Sequence, residues 1–527
     1  MPRVLISDNL EEAGRIMFQQ AKGIDMDYKP GLSPDEFKNI IKDYDALIIR
    51  SATKVTKDVI EAAPNLKVIG RAGIGLDNVD VQAATKRGIV VENTPEGNVV
   101  TTAEHAISLM LSLSRKIPQA TASLKDGRWE KKGLTGREIF NKTLGVIGYG
   151  RIGSIVADRA KGLKMDVIVH DPFTNQEILD KAGLELVSIE DLFARSDYIT
   201  VHVPKTKNTI GLLNKNAFSQ MKDKVMIINC ARGGIVNEAD LYEALKSGKV
   251  AGAALDVFET EPPGKCPLLE LDNVIATPHL GASTTEAQTN VAVAVVRQII
   301  DYLSSGTVMN AVNVPSVAGD LLKRLKPYLD LGERMGSLHC QLAEGPIQQL
   351  SIEYAGDFSG LDISPITISI LKGLLTPMVK EAVNFVNAPM LAKERGIKVV
   401  ESRSNEFESY THLITITATS QDGINRIAGT IFGKEHPRIV RINSSYIDLI
   451  PEGHILLVNN EDKPGAIGSM GTVLGSHGIN IGRMHVGQDT DGGRNVIILV
   501  TDSPAPDEVI RELQLIPMIK SVKQLEL

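Results

Sequence analysis

The sequence predicts an α/β protein with two parallel, helix-covered sheets, followed by an α+β segment and a ferredoxin-like βαββαβ sandwich. Three observations lead to this prediction. Short apolar runs rich in β-branched residues alternate with helical stretches up to about residue 285. A glycine-rich turn at 148–153 directly follows one of these runs, and the pattern changes after about residue 311. A chain of 527 residues is also too long for one hydrophobic core.

The first predicted domain comprises residues 1–99 and 286–311. Its strands read PRVLIS, DALIIR, LKVIG and IVVEN, with helical stretches between them. The amphipathic pattern of VAVAVVRQIIDYL, from Val291, predicts a helix that returns the chain to this unit. The segment NAVNVPS, from Asn310, is typical of a linker.

Polar residues come just after the strands of this first unit. They are Arg50, Ser51, Arg71 and Asn93. Ligands of parallel sheets bind beyond the carboxyl ends of the strands. An isolated arginine is usually a solvated surface residue, but two arginines at equivalent strand ends favour an anion-binding site.

The second predicted domain, residues 100–285, carries the glycine-rich segment TLGVIGYGRIG. Gly148 permits the tight turn, Gly150 lets the backbone approach a pyrophosphate, and Gly153 allows close packing of helix on strand. A helix that begins near Arg151 and Ile152 presents free N–H groups and a partial positive charge to that pyrophosphate. The segment therefore predicts a dinucleotide site.

The strand DVIVH ends at Asp171, eighteen residues after Gly153. A carboxylate there accepts hydrogen bonds from the adenosine ribose and repels a 2′-phosphate, which favours NAD over NADP. Capping of a turn before Pro172 is the alternative interpretation of Asp171.

Four further polar or turn-forming residues follow the later strands of this unit: Pro204, Arg232, Asp256 and His279. Oxidation of a secondary alcohol by NAD requires a base and a cation that fixes the substrate. His279 suits the base because its ordinary pKa lies near neutrality, and Glu261 suits the imidazolium that forms. Arg232 offers a planar fork for a carboxylate. A lone histidine is more often structural, so only the combination of Arg232, Glu261 and His279 indicates catalysis.

Composition excludes several function classes. The net charge of −7 and a pI near 5.9 argue against general nucleic-acid binding. No apolar run reaches membrane-spanning length and no signal peptide is evident, so we expect a cytoplasmic protein. The three cysteines form no CxxC pair, and no metal site is expected. Cys230 adjoins the Arg232 segment, where a small buried residue is its expected role.

The segments NCARGGIVNEADL, GAALDVFETEPP and TPHLGAST closely resemble the D-isomer-specific 2-hydroxyacid dehydrogenases. The resemblance implies two Rossmann-like, doubly wound domains around a cleft, with Arg232 on the substrate carboxylate, Glu261 supporting the histidine and His279 transferring the proton. It also implies NAD as the cofactor. The implied cofactor-binding residues are Gly148, Gly150, Arg151, Ile152, Gly153, Asp171, Pro204, Cys230, Ala231, Arg232, Asp256, His279 and Gly281.

RSATKVT, GRAGIGLDNVD and NTPEGN resemble the long members of this family, which oxidise 3-phospho-D-glycerate to 3-phosphohydroxypyruvate in the first step of phosphorylated L-serine biosynthesis. Residues 312–450 then resemble an intervening, allosteric substrate-binding domain. The implied substrate-binding residues are Arg50, Ser51, Arg71, Asn93, Arg232 and His279.

Residues 453–527 resemble an ACT regulatory domain, whose paired copies bind L-serine in some family members. The resemblance assigns that effector to Asn460, Asp462 and Asn480. It implies a homo-oligomer, a dimer or a tetramer, in which Trp129 packs against a second subunit and Lys131 reaches its site. An ordinary core position is the alternative for Trp129.

A basic cluster lies near the end of the intervening segment: Arg426, Lys434, His436, Arg438 and Arg441. A solvated face is the default interpretation of such a cluster, and an anion-binding regulatory site is the other.

Three alternatives to a serine-regulated, NAD-dependent oxidation of 3-phospho-D-glycerate stay open. Another 2-hydroxyacid dehydrogenase, of the glyoxylate or hydroxypyruvate type, would carry the same three site residues. A non-enzymatic NAD-sensing protein can be built on the same fold. The C-terminal third could also serve mainly to assemble the oligomer.

Overall fold

The computed structural model describes residues 1–315, 319–358, 361–379, 382–404, 410–421, 423–488 and 494–527. The strands in this part of the chain form four sheets. The turn that the sequence predicts over DTDGG, 489–493, lies outside the described residues.

The first sheet is parallel, with the strand order β2-β1-β3-β4-β5. Its elements are β1 (Arg3–Ile6), α1 (Glu12–Gln20), β2 (Asp25–Tyr28), α2 (Pro34–Ile40), β3 (Ala46–Ile49), α3 (Lys57–Glu61), β4 (Val68–Arg71), α4 (Val81–Lys86) and β5 (Val90–Asn93). The sequence did not predict β2, because this edge strand reads DMDY and has no apolar run. The other four strands fall where the apolar runs placed them.

The second sheet is also parallel, in the order β12-β11-β10-β9-β6-β7-β8. Its elements are α5 (Val99–Arg115), α6 (Ile117–Lys125), β6 (Thr143–Ile147), α7 (Arg151–Gly162), β7 (Asp166–His170), α8 (Gln176–Ala182), β8 (Glu185–Leu186), α9 (Ile189–Arg195), β9 (Tyr198–Val201), α10 (Lys215–Gln220), β10 (Val225–Asn229), α11 (Glu238–Lys246), β11 (Val250–Leu255) and β12 (Val274–Ala276). After β6 the chain places β7 and β8 on one side of that strand, and then returns to place β9 on its other side. Ligands of such sheets bind in the crevice at this switch point.

Helix α12 (Thr285–Ser305) returns the chain to the first sheet, as its amphipathic pattern predicts. Its apolar face joins the core of that domain through Val291, Val295 and Ile299. A Cβ at Gly70 would lie 2.7 Å from the Val295 side chain, so the glycine in β4 lets the helix pack closely on the sheet.

The third sheet is mixed, in the order β14-β13-β15-β16-β17-β18. Its elements are α13 (Gly319–Leu342), β13 (Ile347–Gly356), α14 (Ser364–Leu375), α15 (Ala388–Glu394), β14 (Lys398–Ser404), β15 (His412–Ser420), β16 (Ile424–Phe432), β17 (His436–Ile442) and β18 (Ser445–Leu449). Helices α14 and α15 are separate elements. Pro377 just after the first helix and Pro389 in the first turn of the second account for the division.

The fourth sheet is antiparallel, in the order β20-β21-β19-β22. Its elements are β19 (His454–Glu461), α16 (Ala466–Ser476), β20 (Ile481–Gln488), β21 (Arg494–Thr501), α17 (Asp507–Gln514) and β22 (Ile519–Glu526). This is the predicted βαββαβ order. One face of the sheet shares a core with the third sheet through Ile455, Leu457 and Ile498. The predicted fold class is thus confirmed. No helix in the described ranges is long and apolar enough to cross a membrane.

The crossing of α13 and α14 depends on glycine. A Cβ at Gly373 would lie 1.8 Å from the backbone oxygen of Glu333, and one at Gly336 would lie 2.1 Å from that of Ile370. Neither backbone oxygen can rotate away, so the two helices pack backbone against backbone.

We predict that Gly373→Ala lowers the free energy of unfolding by about 1–3 kcal/mol, because the added methyl forces the helices apart. The matched control is Gly471→Ala within α16, where an added Cβ meets nothing within 4 Å. That change should be stabilising by about 0.5–1 kcal/mol, since alanine favours helix. Calorimetric unfolding curves that give both variants the same shift would contradict the packing argument.

Candidate active site

The glycine-rich turn links β6 to α7 at the switch point of the second sheet. Gly148 has φ +93°, and its Cβ would lie 2.6 Å from the backbone oxygen of His202. A Cβ at Gly153 would lie 2.0 Å from the Gly148 oxygen. Around Gly150, the N-cap of α7, an added Cβ meets nothing within 4 Å. Two glycines thus permit close packing, and the third leaves open space at a helix N-terminus, which suits a pyrophosphate.

Asp171 follows β7 and is held by the glycine-rich loop itself. Its Oδ2 accepts a hydrogen bond from the Tyr149 N–H at 2.7 Å, and its Oδ1 accepts one from the Phe173 N–H at 2.8 Å. The carboxylate therefore fixes the turn, and each oxygen keeps a lone pair for a ribose hydroxyl. Both interpretations of Asp171, ribose acceptor and turn cap, fit this geometry.

His279 and Glu261 form a close pair. The His279 Nδ1 lies 2.7 Å from Glu261 Oε2, while Glu261 Oε1 accepts a hydrogen bond from the Phe258 N–H at 3.1 Å. The pair leaves the imidazole Nε2 without a partner among the described groups, and the ring lines the cleft. A carboxylate so placed orients the ring and stabilises the imidazolium.

The loop that carries His279 is anchored by the fully buried Asp256. Its Oδ1 accepts a hydrogen bond from the Leu280 N–H at 2.7 Å, and its Oδ2 accepts one from the Gly281 N–H at 2.8 Å. His105 Nε2 lies 3.2 Å from the same Oδ1, and the Thr277 hydroxyl donates to it at 2.6 Å. Burial acts to raise the pKa of Asp256, but the hydrogen bonds from His105, Thr277 and the Leu280 N–H outweigh it and lower the pKa overall. The carboxylate stays charged and fixes the histidine loop, where φ of His279 is +54°.

Arg232 follows β10 and reaches across the cleft. Its Nε donates to Asp77 Oδ2 at 2.9 Å, and its Nη1 donates to the Ala231 oxygen at 2.7 Å. Asp77 belongs to the loop after β4 of the first domain, so the contact joins the two domains. A Cβ at Gly75 would lie 2.1 Å from Arg232 Nη2.

Arg71 ends β4 and points its guanidinium into the same cleft. Burial lowers its pKa to about 10, as do the neighbouring cations Arg232 and Arg50. Its Nε is buried and has no hydrogen-bond partner among the described residues. A Cβ at Gly73, where φ is +138°, would lie 1.7 Å from Arg71 Nη1. A desolvated cation without a partner is costly unless an anion binds to it.

The other substrate candidates of the first domain do not line the cleft. Arg50 is at the rim, where its Nη1 donates to the Asn9 oxygen at 3.3 Å, and Ser51 is exposed. Asn93 is buried, and its amide donates to the Ile74 oxygen at 2.7 Å. Asn93 therefore supports the loop after β4, and its assignment to the substrate stays a prediction.

Asn98 lines the cleft, although the sequence did not point to this residue. It is the N-cap residue of α5 but makes no capping bond, and its buried Oδ1 has no partner in the described part of the chain. The signal was an asparagine just before the long helix in NTPEGN, at a position where a capping bond is usual.

A cavity of about 490 Å³ between the two domains is lined by ten of the eighteen residues predicted for catalysis, cofactor and substrate. Those that line it are Arg71, Gly150, Arg151, Ile152, Pro204, Cys230, Ala231, Arg232, His279 and Gly281. Burial raises the pKa of the Cys230 thiol, so this cysteine lines the cavity as an unreactive side chain. Burial also lowers the pKa of His202, on the wall of the same cavity, to about 4, which keeps that imidazole neutral.

The residues assigned to an effector do not meet within one chain. Asn460 lies near the end of β19, Asp462 follows that strand, and Asn480 precedes β20. The register pairs Ile481 with Thr501 and Thr501 with His454, which puts Asn480 at the opposite end of the sheet from Asn460. Asn460 is buried, and its Oδ1 has no partner among the described groups.

The basic cluster divides in two. Arg438 Nε pairs with Asp448 at 3.2 Å, and Lys434 and His436 are exposed. Arg426 and Arg441 line a small cavity of about 150 Å³, with Glu353 3.9 Å from the Arg426 guanidinium.

Trp129 is 77% exposed, so it is not a core residue of this chain, and the Lys131 ammonium lies 5.6 Å from the centre of its ring. The described residues contain no group of three or more potential metal ligands.

Comparison with known proteins agrees with this geometry. Residues 107–281 match the family described as D-isomer specific 2-hydroxyacid dehydrogenase, NAD binding domain. Residues 324–443 match the D-3-phosphoglycerate dehydrogenase intervening domain, and residues 454–514 match the ACT domain.

Similar proteins span the whole chain. The D-3-phosphoglycerate dehydrogenase of Archaeoglobus fulgidus is 45% identical over 97% of both chains, and that of Bacillus subtilis is 42% identical over 100% of both. The NAD-dependent formate dehydrogenase of Staphylococcus aureus, solved with NAD, is 29% identical with a TM-score of 0.55 and covers 60% of this chain and 100% of its own. The chain belongs to the D-3-phosphoglycerate dehydrogenases, within the D-isomer-specific 2-hydroxyacid dehydrogenases.

Proposed function

We propose that this chain oxidises 3-phospho-D-glycerate to 3-phosphohydroxypyruvate with NAD. The observation that carries this proposal is the desolvated Arg71, whose Nε has no described partner, beside Arg232 and the His279–Glu261 pair. A substrate with a carboxylate and a phosphate supplies the anions that two converging arginines require. The names of full-length relatives support the same substrate.

The residues of the chain divide the work. The open space at Gly150 and the N-terminus of α7 hold the pyrophosphate, while Asp171 accepts the ribose hydroxyls. NAD, when bound, supplies the hydride acceptor. Arg232 fixes the substrate carboxylate, and the free Nε2 of His279 takes the hydroxyl proton. Glu261 stabilises the resulting imidazolium through the 2.7 Å contact with Nδ1.

Arg71, Arg50 and Ser51 serve the phosphate end. Arg71 is the buried member and Arg50 the member at the rim. The unpartnered Asn98 Oδ1 faces the cleft, and we add this residue to the substrate or cofactor contacts. Because both ligands are charged metabolites, the cytoplasm is the proposed location.

The chain is further proposed to act as a homo-oligomer. Several large apolar side chains are exposed along α5, α6 and the segment that follows them: Val100, Ile117, Leu124, Trp129 and Phe140. A surface of this kind suits a second copy of the chain. An effector site that includes both Asp462 and Asn480 requires two chains, since the two lie at opposite ends of one sheet.

The purified chain should reduce NAD with 3-phosphoglycerate and, more readily, oxidise NADH with 3-phosphohydroxypyruvate. We predict that His279→Gln lowers kcat by about 10²–10⁴-fold, because the proton acceptor is lost, while the variant still binds NAD. His477→Gln, at the exposed C-cap position of α16, is the control. Normal turnover in His279→Gln would exclude the assigned mechanism, and activity confined to unphosphorylated acids would exclude the substrate.

Arg50→Ala should raise KM for 3-phosphoglycerate by about 10–100-fold, since a charge-assisted contact to phosphate is lost. Turnover of an unphosphorylated 2-hydroxy acid should change little. Arg87→Ala, an exposed arginine of the same domain, gives the matched charge control. Equal losses on phosphorylated and unphosphorylated substrates would show that Arg50 does not recognise the phosphate.

L-Serine should inhibit turnover, and Asp462→Ala should weaken that inhibition without changing activity in the absence of serine. The reason is that the exposed Asp462 carboxylate can bind the ammonium group of the amino acid. Asp507→Asn, at the start of α17, is the control. Serine titration curves that coincide for the wild-type chain and Asp462→Ala would reject the regulatory role.

A further inference from the structure

The guanidinium of Arg232 is held by the domain opposite its own. Its Nε edge meets Asp77 at 2.9 Å, and its Nη2 lies over Gly75, where an added Cβ would be only 2.1 Å away. Its other hydrogen bond, from Nη1, goes to the adjacent Ala231 oxygen. The contacts that set the direction of the guanidinium across the cleft therefore come from the Gly75–Asp77 loop.

That loop is itself fixed. The Asn78 Nδ2 donates to the Arg50 oxygen at 2.8 Å and to the Thr53 oxygen at 2.6 Å, and the Val55 N–H donates to the Asn78 oxygen at 2.8 Å. Asp77 is thus presented from a loop that is tied to the neighbouring strand end. A carboxylate on such a base can orient a long side chain.

The Asp77 carboxylate is 63% exposed, against 27% for the Arg232 side chain. An ion pair this exposed contributes little to stability. Asp77 does act on the site: its negative charge raises the pKa of the buried Arg71, which the charge of Arg232 lowers. The contact therefore matters for the placement of cations and not for folding.

We propose that Asp77 is a positioning residue for Arg232. It occupies the Nε edge of the guanidinium, so that Nη2 and the remaining Nη1 proton face the substrate carboxylate, and it ties the placement of Arg232 to the first domain. This inference rests on the proposed role of Arg232 as the carboxylate-binding residue.

The test compares Asp77→Ala with Asp77→Asn in the full-length protein. Asparagine keeps an oxygen that can accept from Nε–H, whereas alanine removes both the acceptor and the charge. We expect Asp77→Ala to raise KM for 3-phosphoglycerate by about tenfold or more and to lower kcat, while the NAD dissociation constant stays within about twofold. Asp77→Asn should recover most of the loss. Asp80→Asn makes the same change of charge three residues away, at the N-cap of α4, and should behave as wild type.

Gly75→Ala is a second way to displace the Arg232 guanidinium, because the added methyl would lie 2.1 Å from Nη2. It should reproduce the kinetic pattern of Asp77→Ala, and the double variant should be no worse than either single one, because both disturb one contact. Additive losses would overturn the proposal.

Three further results would also overturn it. Equal impairment of Asp77→Asn and Asp77→Ala would assign the effect to charge alone. A lower KM in Asp77→Ala would make Asp77 a competitor of the substrate. A parallel loss of NAD affinity or thermal stability would make its role structural.

Failure of the proposed substrate is separable from failure of this inference. Every 2-hydroxy acid carries the carboxylate that Arg232 is proposed to bind. The ratio between wild-type and variant kinetics is therefore measured on whichever acid of a small panel the wild-type chain turns over.

Discussion

The crowding of positive charge at one edge of two sheets is the constraint on which the site depends. Arg71 and Arg232 come from different domains, and the pKa of the buried Arg71 is lowered first by its burial and then by the charges of Arg232 and Arg50. Like charges in a partly desolvated cleft repel unless counter-charges lie among them. Asp77 and Asp8 supply two of these, and both act on Arg71 in the favourable direction. The protein builds this arrangement with small residues. Gly73 and Gly75 leave the space that the two guanidinium groups fill.

The same edge shows how a parallel sheet concentrates chemistry. Polar groups of the cleft such as Arg71, His202 and Arg232 stand at or just after the ends of strands from both sheets, whereas Arg151 belongs to helix α7. The central strands of both sheets are largely apolar and buried, so most polar groups of the cleft come from strand ends and from the loops that follow. Orientation is left to loops, and here carboxylates fix the loops. Asp171 holds the glycine-rich turn and Asp256 holds the histidine loop, each through two backbone N–H groups. Asp8 does the same for the loop after β3, where it accepts from the Arg50 and Thr53 N–H groups.

The glycine fingerprint, the strand ends and the βαββαβ order could be read from the sequence because each depends on local pattern. Spacing alone placed Gly148 and Gly153, and the structure gives each a close contact that only glycine permits. Asn93 and Asn98 could not be told apart in this way. Asn93 is the last residue of β5 and Asn98 follows that strand, but the Asn93 side chain turns back to Ile74 and Asn98 faces the cleft. Asp77 was missed for a related reason. Its partner lies 155 positions away in another domain, and no local pattern reports such a contact. The polar edge strand β2 lacked the apolar signal on which strand prediction depends.

The arrangement of the fourth sheet limits how any control by a small ligand can work. Asn460 and Asp462 stand at one end of β19, and Asn480 stands at the other end of the sheet. A ligand the size of an amino acid cannot span a strand of eight residues, which extends roughly 25 Å. It can contact both groups only where a second copy of the domain lies alongside in the opposite direction. The face of the sheet away from its helices already shares a core with the intervening domain, so pairing of two sheets edge to edge leaves that packing intact. A ligand at such a junction would bind the assembled chains in preference to the separate ones. The core shared by the third and fourth sheets joins this domain to the intervening domain, so a change in its packing would act first on the third sheet.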